Sequence, residues 1–176
     1  MDLKKKIRSV PDFPKKGIMF RDITTLLKDA DALRHVIREF KEYYAKKGIK
    51  FNKVASAESR GFIFGAILAH EFNAGFVPVR KPGKLPAKTL RQEFKTEYST
   101  DAFEIHSDAI EKGDRVLFCD DLLATGGTAK AAIDLIERLG GKVVGCAFLI
   151  ELSFLKGREK LRGYDVFSLI DYESEE

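Results

Sequence analysis

The sequence has few cysteines and no long apolar run. Two cysteines, Cys119 and Cys146, occur among 176 residues, and each lies inside an apolar stretch without the spacing of a metal site. Thiols in such stretches are typical of reduced core residues rather than of a disulfide, which favours a cytoplasmic protein. The longest apolar stretches, FIFGAILA and VVGCAFLI, are far too short to span a bilayer. The basic N-terminus lacks the apolar region of a secretory signal, so we expect no membrane association.

Two common nucleotide-binding fingerprints are also missing. No Lys-Ser or Lys-Thr follows a G-x-x-x-x-G pattern, which excludes a P-loop, and no G-x-G-x-x-G follows a predicted strand, which excludes a dinucleotide fold. The net charge of +4 is mild and fits an anionic small-molecule substrate. Because no RNA- or DNA-binding motif accompanies it, we expect no nucleic-acid partner.

Apolar strand-like and helix-like segments alternate along a chain whose length suits one domain, residues 1–176. Residues 31–47 have helical spacing, with Gly48 as the predicted C-cap. The further predicted strands are KVASA, GFVPV, RVLFCD, VVGCAFLI and YDVFSLI, and the further predicted helices are GFIFGAILAHEF, TAKAAIDLIERLGG and SFLKGREKL. This alternation predicts an α/β fold with a mostly parallel central sheet and helices on both faces.

Charged residues and glycine follow three of the predicted strands, in ASAESRG, VRKPGKLP and CDDLLATGGT. Open parallel sheets bind ligands outside the carboxyl ends of their strands, so these segments are candidate site positions. Residues 87–107 interrupt the alternation and have the pattern of a hairpin. Such a segment is either a lid or a surface hairpin without a function, and its pattern alone does not decide between them.

The segment CDDLLATGGT combines an anion-binding turn with two carboxylates. Thr125–Thr128 lies between a strand and a helix, where unpaired N–H groups and the helix dipole favour a phosphate; the alternative is an ordinary turn with Thr as N-cap. Carboxylates repel a phosphate, so Asp120 and Asp121 are expected to face another group. A ribose 5-phosphate satisfies both requirements, with its phosphate in the turn and its hydroxyls on the carboxylates.

These residues resemble the phosphoribosyl diphosphate signature of the type I phosphoribosyltransferases. The segments PDFPKKGIMFRDIT, ESRGFIFG, VRKPGKLP, EYSTDAFEIH, DDLLATGGT and LIELSFLKGREKL, in this order, are similar to those of the adenine phosphoribosyltransferases. The resemblance covers nearly the whole chain. It implies the type I fold with a small N-terminal hood (residues 1–28) that binds the base and a flexible lid hairpin (residues 87–107). It further implies transfer of a phosphoribosyl group to adenine, giving AMP and diphosphate in purine salvage, with Mg²⁺ carried mainly by the substrate diphosphate and a homodimer as the assembly.

The resemblance also implies roles for individual residues. The 5-phosphate would bind Ala124, Thr125, Gly126, Gly127 and Thr128. The diphosphate would bind Ser59, Arg60, Arg80, Lys81 and Lys84. Adenine would contact Met19, Phe20, Arg21 and Leu122, with Phe20 stacking on the base and backbone groups of Met19 and Arg21 reading its edge. The catalytic residues would be Glu97, Asp120 and Asp121, and Tyr98 would help to cover the site.

Some of these roles have a competing structural explanation. Arg60 could be a surface arginine at a helix start, although the helix dipole disfavours a cation there. Phe20 could be a core aromatic, and the residues alone do not decide. Ser99 stands where the family usually has Gly, which bears on the geometry of the lid. Two other functions stay open: a same-fold transferase for another purine base, and a non-catalytic nucleotide-binding regulator.

Overall fold

A five-stranded parallel sheet forms the centre of the computed structural model, which describes residues 1–95 and 100–175. Its strands are β3 (Lys53–Ala57), β4 (Gly75–Val79), β7 (Arg115–Leu123), β8 (Lys142–Leu152) and β9 (Val166–Tyr172), numbered along the chain after β1 (Arg8–Val10) and β2 (Phe20–Asp22). Their order in the sheet is β4-β3-β7-β8-β9. The chain therefore reverses its direction of winding between β3 and β7, which is the switch point where sheets of this kind bind ligands.

Helices cover both faces of the sheet, which confirms the predicted α/β class. A short helix α1 (Thr24–Leu27) precedes α2 (Ala30–Lys47), and α2 and α3 (Gly61–Glu71) pack on one face through a buried cluster that includes Phe40 and Phe64. Helix α4 (Gly127–Arg138) packs on the other face, over Phe118 and Phe148. Burial of such side chains contributes about 1.5–3 kcal/mol each.

The helix predicted over residues 31–47 is confirmed as α2, and both of its ends have a local cause. The Asp29 carboxylate accepts hydrogen bonds from the backbone of Asp31 and Ala32, and Gly48 closes the helix with φ of 65°. Two other predictions differ from the structure. SFLKGREKL forms two 3₁₀ turns, Ser153–Leu155 and Gly157–Leu161, rather than one helix, and the strand expected to end near Asp120 continues to Leu123. The strand is longer because β8 still pairs with it there, opposite Glu151.

Two small antiparallel sheets flank the central one. Strands β1 and β2 pair near the N-terminus, within the segment predicted as a hood. Strands β5 (Thr89–Lys95) and β6 (Thr100–His106) form the hairpin expected over residues 87–107, and β6 is bridged to the end of β4 by Arg80 and Glu104. In the described ranges, no helix has the length and apolar character needed to cross a membrane.

Candidate active site at the carboxyl ends of the strands

A cleft of about 260 Å³ opens at the carboxyl ends of β3 and β7, at the switch point of the sheet. Three chain segments supply most of its wall: the residues after β3, the end of β7 with the turn into α4, and the β5–β6 hairpin. The lining residues are Glu58, Ser59, Arg60, Lys81, Phe94, Asp101, Phe103, Asp120, Asp121, Leu122, Leu123, Ala124, Thr125, Gly126, Thr128 and Ala129. The cleft thus brings together residues from all three predicted strand ends.

The turn between β7 and α4 has the geometry of an anion cradle. Gly126 is the N-cap of α4, with φ of 79°, and no side chain among the described residues caps the helix there. The predicted alternative, a Thr N-cap, is therefore wrong. An uncapped start leaves N–H groups of the first helical turn available to an external acceptor, and the helix dipole adds partial positive charge. A ligand phosphate is the group that this arrangement stabilises best.

Gly157 lies directly against this turn. A Cβ atom on Gly157 would come within 2.1 Å of the Ala124 carbonyl oxygen and 2.9 Å of the Gly126 nitrogen. A Cβ atom on Gly126 would likewise meet the Gly157 carbonyl oxygen at 2.4 Å. On the hairpin side, a Cβ atom on Gly127 would lie 3.1 Å from the Lys95 carbonyl oxygen. Backbone therefore packs on backbone on both sides of the turn, which leaves its shape little freedom.

Asp120 and Asp121 are both buried at the floor of the cleft, with 7% and 6% of their surface exposed. The Asp120 Oδ1 atom accepts a hydrogen bond of 2.8 Å from the Asp121 backbone N–H. Burial, and then the neighbouring charge of Asp121, raises the pKa of Asp120 well above its usual range. Burial also raises the pKa of Asp121, although the Arg60 guanidinium opposes that shift. Two carboxylates are thus held in a poorly solvated position, where a cation or hydroxyl donors would stabilise them.

Arg60 connects the carboxylates to the N-terminal segment. Its Nε atom lies 2.8 Å from Asp121 Oδ2, and its guanidinium lies over the Phe20 ring at 5.1 Å from the ring centre. Phe13 packs edge-on against Phe20 at 5.0 Å between ring centres. Phe20 on β2 is therefore beside the cleft rather than in the main core, although it is distant from Asp121 in sequence.

The basic cluster after β4 divides into two groups. Lys81 lines the cleft and forms an ion pair with Asp101 of β6. Arg80 instead pairs with Glu58, at 3.1 Å, and its Nη1 atom approaches the Lys84 carbonyl oxygen at 3.5 Å. Glu58 also accepts a hydrogen bond of 2.8 Å from the Lys81 backbone. Arg80 thus contacts the loop that carries Lys81, and neither Arg80 nor Lys84 lines the cleft.

Comparison with known proteins agrees with this geometry. The family model of the phosphoribosyl transferase domain matches residues 22–175. The adenine phosphoribosyltransferase of Acetivibrio thermocellus is 56% identical over 172 residues, which cover 98% of this chain and all of that protein. The crystal structure of the enzyme from Thermoanaerobacter pseudethanolicus superimposes with a TM-score of 0.94 at 55% identity, covering 97% of this chain and 98% of that one. The chain belongs to the adenine phosphoribosyltransferase family.

Another similar structure in this family is the adenine phosphoribosyltransferase of Saccharomyces cerevisiae in complex with an imino-altritol bisphosphate and adenine. It is 40% identical, covers 95% of this chain and 96% of its own, and has a TM-score of 0.89. Membership of the adenine phosphoribosyltransferase family makes the protein a glycosyltransferase of the pentosyltransferase class.

Most residues predicted for the site of an adenine phosphoribosyltransferase line the cleft, but some lie elsewhere. Met19 and Arg21 border a second cavity of about 160 Å³ with Leu152, Phe154 and Leu155. The Arg21 side chain is buried, donates to Ser9 Oγ and the Glu175 carbonyl oxygen, and lies 4.0 Å from the centre of the Tyr172 ring. The Arg21 side chain thus holds the hood against the end of the chain. Glu97, Tyr98 and Ser99 lie outside the described residues.

Several residues of the cleft were not among those predicted from the sequence. Phe94 and Phe103 of the hairpin form an aromatic pair with ring centres 4.9 Å apart, and both line the cleft, as does Asp101. The alternating pattern of residues 89–96 predicted that the hairpin has one apolar face. It did not predict that this face packs on α4. Gly157 carried no local signal, because its contact is with a turn some thirty residues earlier in the chain.

Proposed function

We propose that this cleft transfers the 5-phosphoribosyl group from phosphoribosyl diphosphate to adenine, releasing AMP and diphosphate, in a purine salvage reaction. The observation that carries the proposal is the adjacency, in one cleft, of an uncapped helix start and two buried carboxylates. The helix start favours an anion and the carboxylates favour hydroxyl donors, and a sugar phosphate carries both groups side by side. Adenine as the acceptor agrees with the family to which the chain belongs.

The 5-phosphate is proposed to bind the turn Ala124–Thr128, mainly through backbone N–H groups, and the ribose hydroxyls are proposed to donate to Asp120 and Asp121. Hydroxyl donors supply the partners that these buried carboxylates need. The same negative charges stabilise the cationic ribosyl ring that develops as the bond from C1 to the diphosphate oxygen breaks and the bond from C1 to adenine forms. The two aspartates therefore act as a sugar clamp and as electrostatic catalysts.

Ser59, Arg60 and Lys81 are proposed to hold the diphosphate, with Arg80 and Lys84 beside them. Arg60 pairs with Asp121, and Lys81 pairs with Asp101. Each cation can exchange its carboxylate for a phosphate oxygen, because a guanidinium and an ammonium bind both groups. The loop of Arg80 and Lys81 is kept in shape by Glu58, through its bonds to both residues.

Mg²⁺ is proposed to enter with the diphosphate. Mg²⁺ commonly binds one or two carboxylates together with substrate phosphates, and keeps several waters. The described residues contain no group of three or more His, Cys, Asp or Glu side chains that could hold a metal by itself. Asp120 and Asp121 fit the smaller role, since both are carboxylates that border the cleft. The metal, once bound, would neutralise charge on the departing diphosphate.

Adenine is proposed to lie between Phe20 and Leu122, with backbone groups of Met19 and Arg21 on its edge. Met19 directly precedes β2 and Arg21 lies within it, so their backbone groups flank Phe20 in the chain. Donors and acceptors in this arrangement distinguish a 6-amino from a 6-oxo purine, because the polarity of the hydrogen bonds is reversed. Phe20 is already within reach of the cleft through its contact with Arg60.

Glu97 is proposed to bind N7 of adenine as a general acid or base, and Tyr98 to help cover the site. Closure of the segment over the reactants would exclude the water that otherwise captures a ribosyl cation. The described part of the hairpin supports this, because Phe94 and Asp101 on its two strands both border the cleft. Residues 87–107 are thus proposed to act as a lid.

We further propose a cytoplasmic homodimer. Cys119 and Cys146 are buried and unbonded, which suits a reducing compartment. Helix α3 carries apolar side chains on the side that faces away from the sheet, including Ile63, which is 37% exposed, and helices that are apolar all round are usually buried. Gel filtration with light scattering tests the assembly: a monomer at micromolar concentration would refute the dimer.

The function is tested with phosphoribosyl diphosphate, Mg²⁺ and each of adenine, hypoxanthine, guanine and xanthine. We expect AMP from adenine and little product from the 6-oxo purines. Product from hypoxanthine or guanine at a comparable rate would favour a same-fold transferase for another base. Binding of phosphoribosyl diphosphate without turnover of any base would favour a non-catalytic regulator.

A further inference from the structure

A buried charged residue, Glu151, lies just outside the cleft at the carboxyl end of β8. It is 5% exposed, and the sheet register places it opposite Leu123, the last residue of β7 before the phosphate turn. Neither the proposed chemistry nor the substrate contacts use this carboxylate. A buried charge is costly unless it is paired, so its partners indicate what it does.

Glu151 is held by Arg158 in a two-pronged ion pair. Arg158 Nε donates to Glu151 Oε1 at 2.9 Å, and Arg158 Nη2 donates to Oε2. The Ser168 hydroxyl donates to the same Oε2 atom at 2.6 Å, and Arg158 Nη1 donates to the Val166 carbonyl oxygen at 2.7 Å. Burial by itself would raise the pKa of Glu151, but the bonds from Arg158 and Ser168 outweigh it and lower the pKa, so the carboxylate is ionised at neutral pH. These bonds fasten Arg158 to both β8 and β9.

Arg158 directly follows Gly157, whose backbone forms the outer wall of the phosphate turn. The segment between Glu151 and Arg158 consists of short 3₁₀ turns, which have little rigidity of their own. The 3₁₀ turn that contains Gly157 is therefore oriented largely by the guanidinium that follows it. Since Gly157 touches Ala124 and Gly126 through backbone atoms, any displacement of Gly157 passes directly to the turn.

We infer that the Glu151–Arg158 ion pair is a positioning device for the 5-phosphate site: it fixes Gly157 against the turn Ala124–Gly127 and so sets the directions of the N–H groups that bind the phosphate. The inference rests on the proposed role of that turn in binding the 5-phosphate. Neither residue touches substrate, so both act through Gly157.

Steady-state kinetics with Arg158→Met and Glu151→Gln test the inference. The KM for phosphoribosyl diphosphate is expected to rise about ten- to hundredfold, in line with the effect of misplacing a binding group by about 1 Å. The KM for adenine is expected to change less than the KM for phosphoribosyl diphosphate, because the hydrogen bonds of the pair go to β8 and β9 rather than to Phe20 or Leu122, between which the base is proposed to lie. Arg158→Lys is expected to recover only part of the loss, since an ammonium cannot replace a planar fork.

Two further variants separate positioning from general destabilisation. The double variant Glu151→Met with Arg158→Met removes both charges, so that no unpaired carboxylate stays buried; it is expected to fold and to bind ribose 5-phosphate more weakly in calorimetry. The matched control is Asp114→Asn, which also alters a buried carboxylate. It disturbs the bonds that Asp114 accepts from the Asn52 amide, at 2.6 Å, and from the Glu111 backbone, at 2.9 Å, and Asp114 directly precedes β7, at the end of that strand opposite the phosphate turn. This control is expected to lower the melting temperature without changing the KM for phosphoribosyl diphosphate.

The possible results distinguish the inference from the function on which it rests. A wild-type protein that makes AMP, together with Arg158 and Glu151 variants of unchanged KM for phosphoribosyl diphosphate, would overturn the positioning role and leave the function intact. An equal rise of KM in Asp114→Asn would also overturn it. A wild-type protein that binds neither ribose 5-phosphate nor phosphoribosyl diphosphate would overturn both the function and the inference.

Discussion

Replacement of Gly157 by Ala is expected to impair the use of phosphoribosyl diphosphate while leaving the fold in place. The backbone of Gly157 does not have the positive φ that would favour glycine, so the added methyl group acts only through its contacts. The new Cβ atom would lie 2.1 Å from the Ala124 carbonyl oxygen, whereas ordinary contacts begin at 3.4 Å. The contact would be about 1.3 Å too short, and the atom that the Cβ atom meets belongs to the backbone, so no side chain can rotate away to relieve it. The phosphate turn or the 3₁₀ turn must therefore move.

The size of this movement sets the expected effect. A displacement of about 1 Å at a binding group can lower the rate about a hundredfold, so we expect kcat/KM for phosphoribosyl diphosphate to fall by about that factor. The overpacking itself is expected to lower the free energy of unfolding by about 1–3 kcal/mol. Initial-rate measurements with either substrate varied, combined with urea unfolding, separate the two effects.

Gly75→Ala is the matched control. Gly75 lies at the amino end of β4, and its nearest contact for a Cβ atom is the flexible side chain of Lys53, at 3.2 Å. Kinetics like those of the wild type are expected for this variant. A folded Gly157→Ala protein with an unchanged kcat/KM for phosphoribosyl diphosphate would refute the claim that this glycine shapes the turn.

Three other substitutions test the proposed roles in the cleft. Asp120→Asn is expected to abolish most of the activity but to raise the free energy of unfolding at neutral pH, because burial and the charge of Asp121 raise the pKa of Asp120 in the folded state. Because the pKa of Asp120 is higher in the folded than in the unfolded protein, its ionisation destabilises the fold as the pH rises above the unfolded value of about 4. The stability gained by Asp120→Asn in urea unfolding must therefore disappear below that pH, and a gain that is the same at every pH would contradict the explanation. Phe20→Ala is expected to raise the KM for adenine about tenfold with little change for phosphoribosyl diphosphate, as one stacking contact is worth about 1–3 kcal/mol, and an unchanged KM would make Phe20 a packing residue only. Glu97→Ala is expected to lower kcat by about 10²- to 10⁴-fold while phosphoribosyl diphosphate still binds in calorimetry, and a wild-type rate would remove its acid–base role.

The sequence was most informative where the function depends on neighbouring residues. The strand, the turn and the helix from Arg115 to Arg138 are contiguous, so their apolar runs, glycines and carboxylates could be read together as a sugar phosphate site. The hairpin over residues 87–107 was also predictable, because alternation along a strand is a local pattern. Both features reflect short-range geometry, which one stretch of chain encodes by itself.

Prediction was weaker where residues distant in sequence meet. The alternative of a Thr N-cap for α4 was wrong, because Gly126 is the N-cap, and the packing of Gly157 against this turn had no signal in the sequence. The contacts of Arg60 with Asp121 and with the Phe20 ring were not predicted, because they join segments that are distant in the sequence. The burial that raises the pKa of Asp120 likewise depends on the whole surrounding fold.

The sequence by itself determined the α/β class, the position of the site at the strand ends and the residue types that suit a phosphate and a ribose. These follow from periodicity and from motifs within single segments. Only the tertiary structure decided which cations face the cleft, how the hood reaches it through Arg60 and Phe20, and that Gly157, beside the Glu151–Arg158 pair, packs against the turn before α4. The reason is that each of these depends on the relative placement of separate strands, and side-chain partners are chosen only once the sheet has brought those strands together.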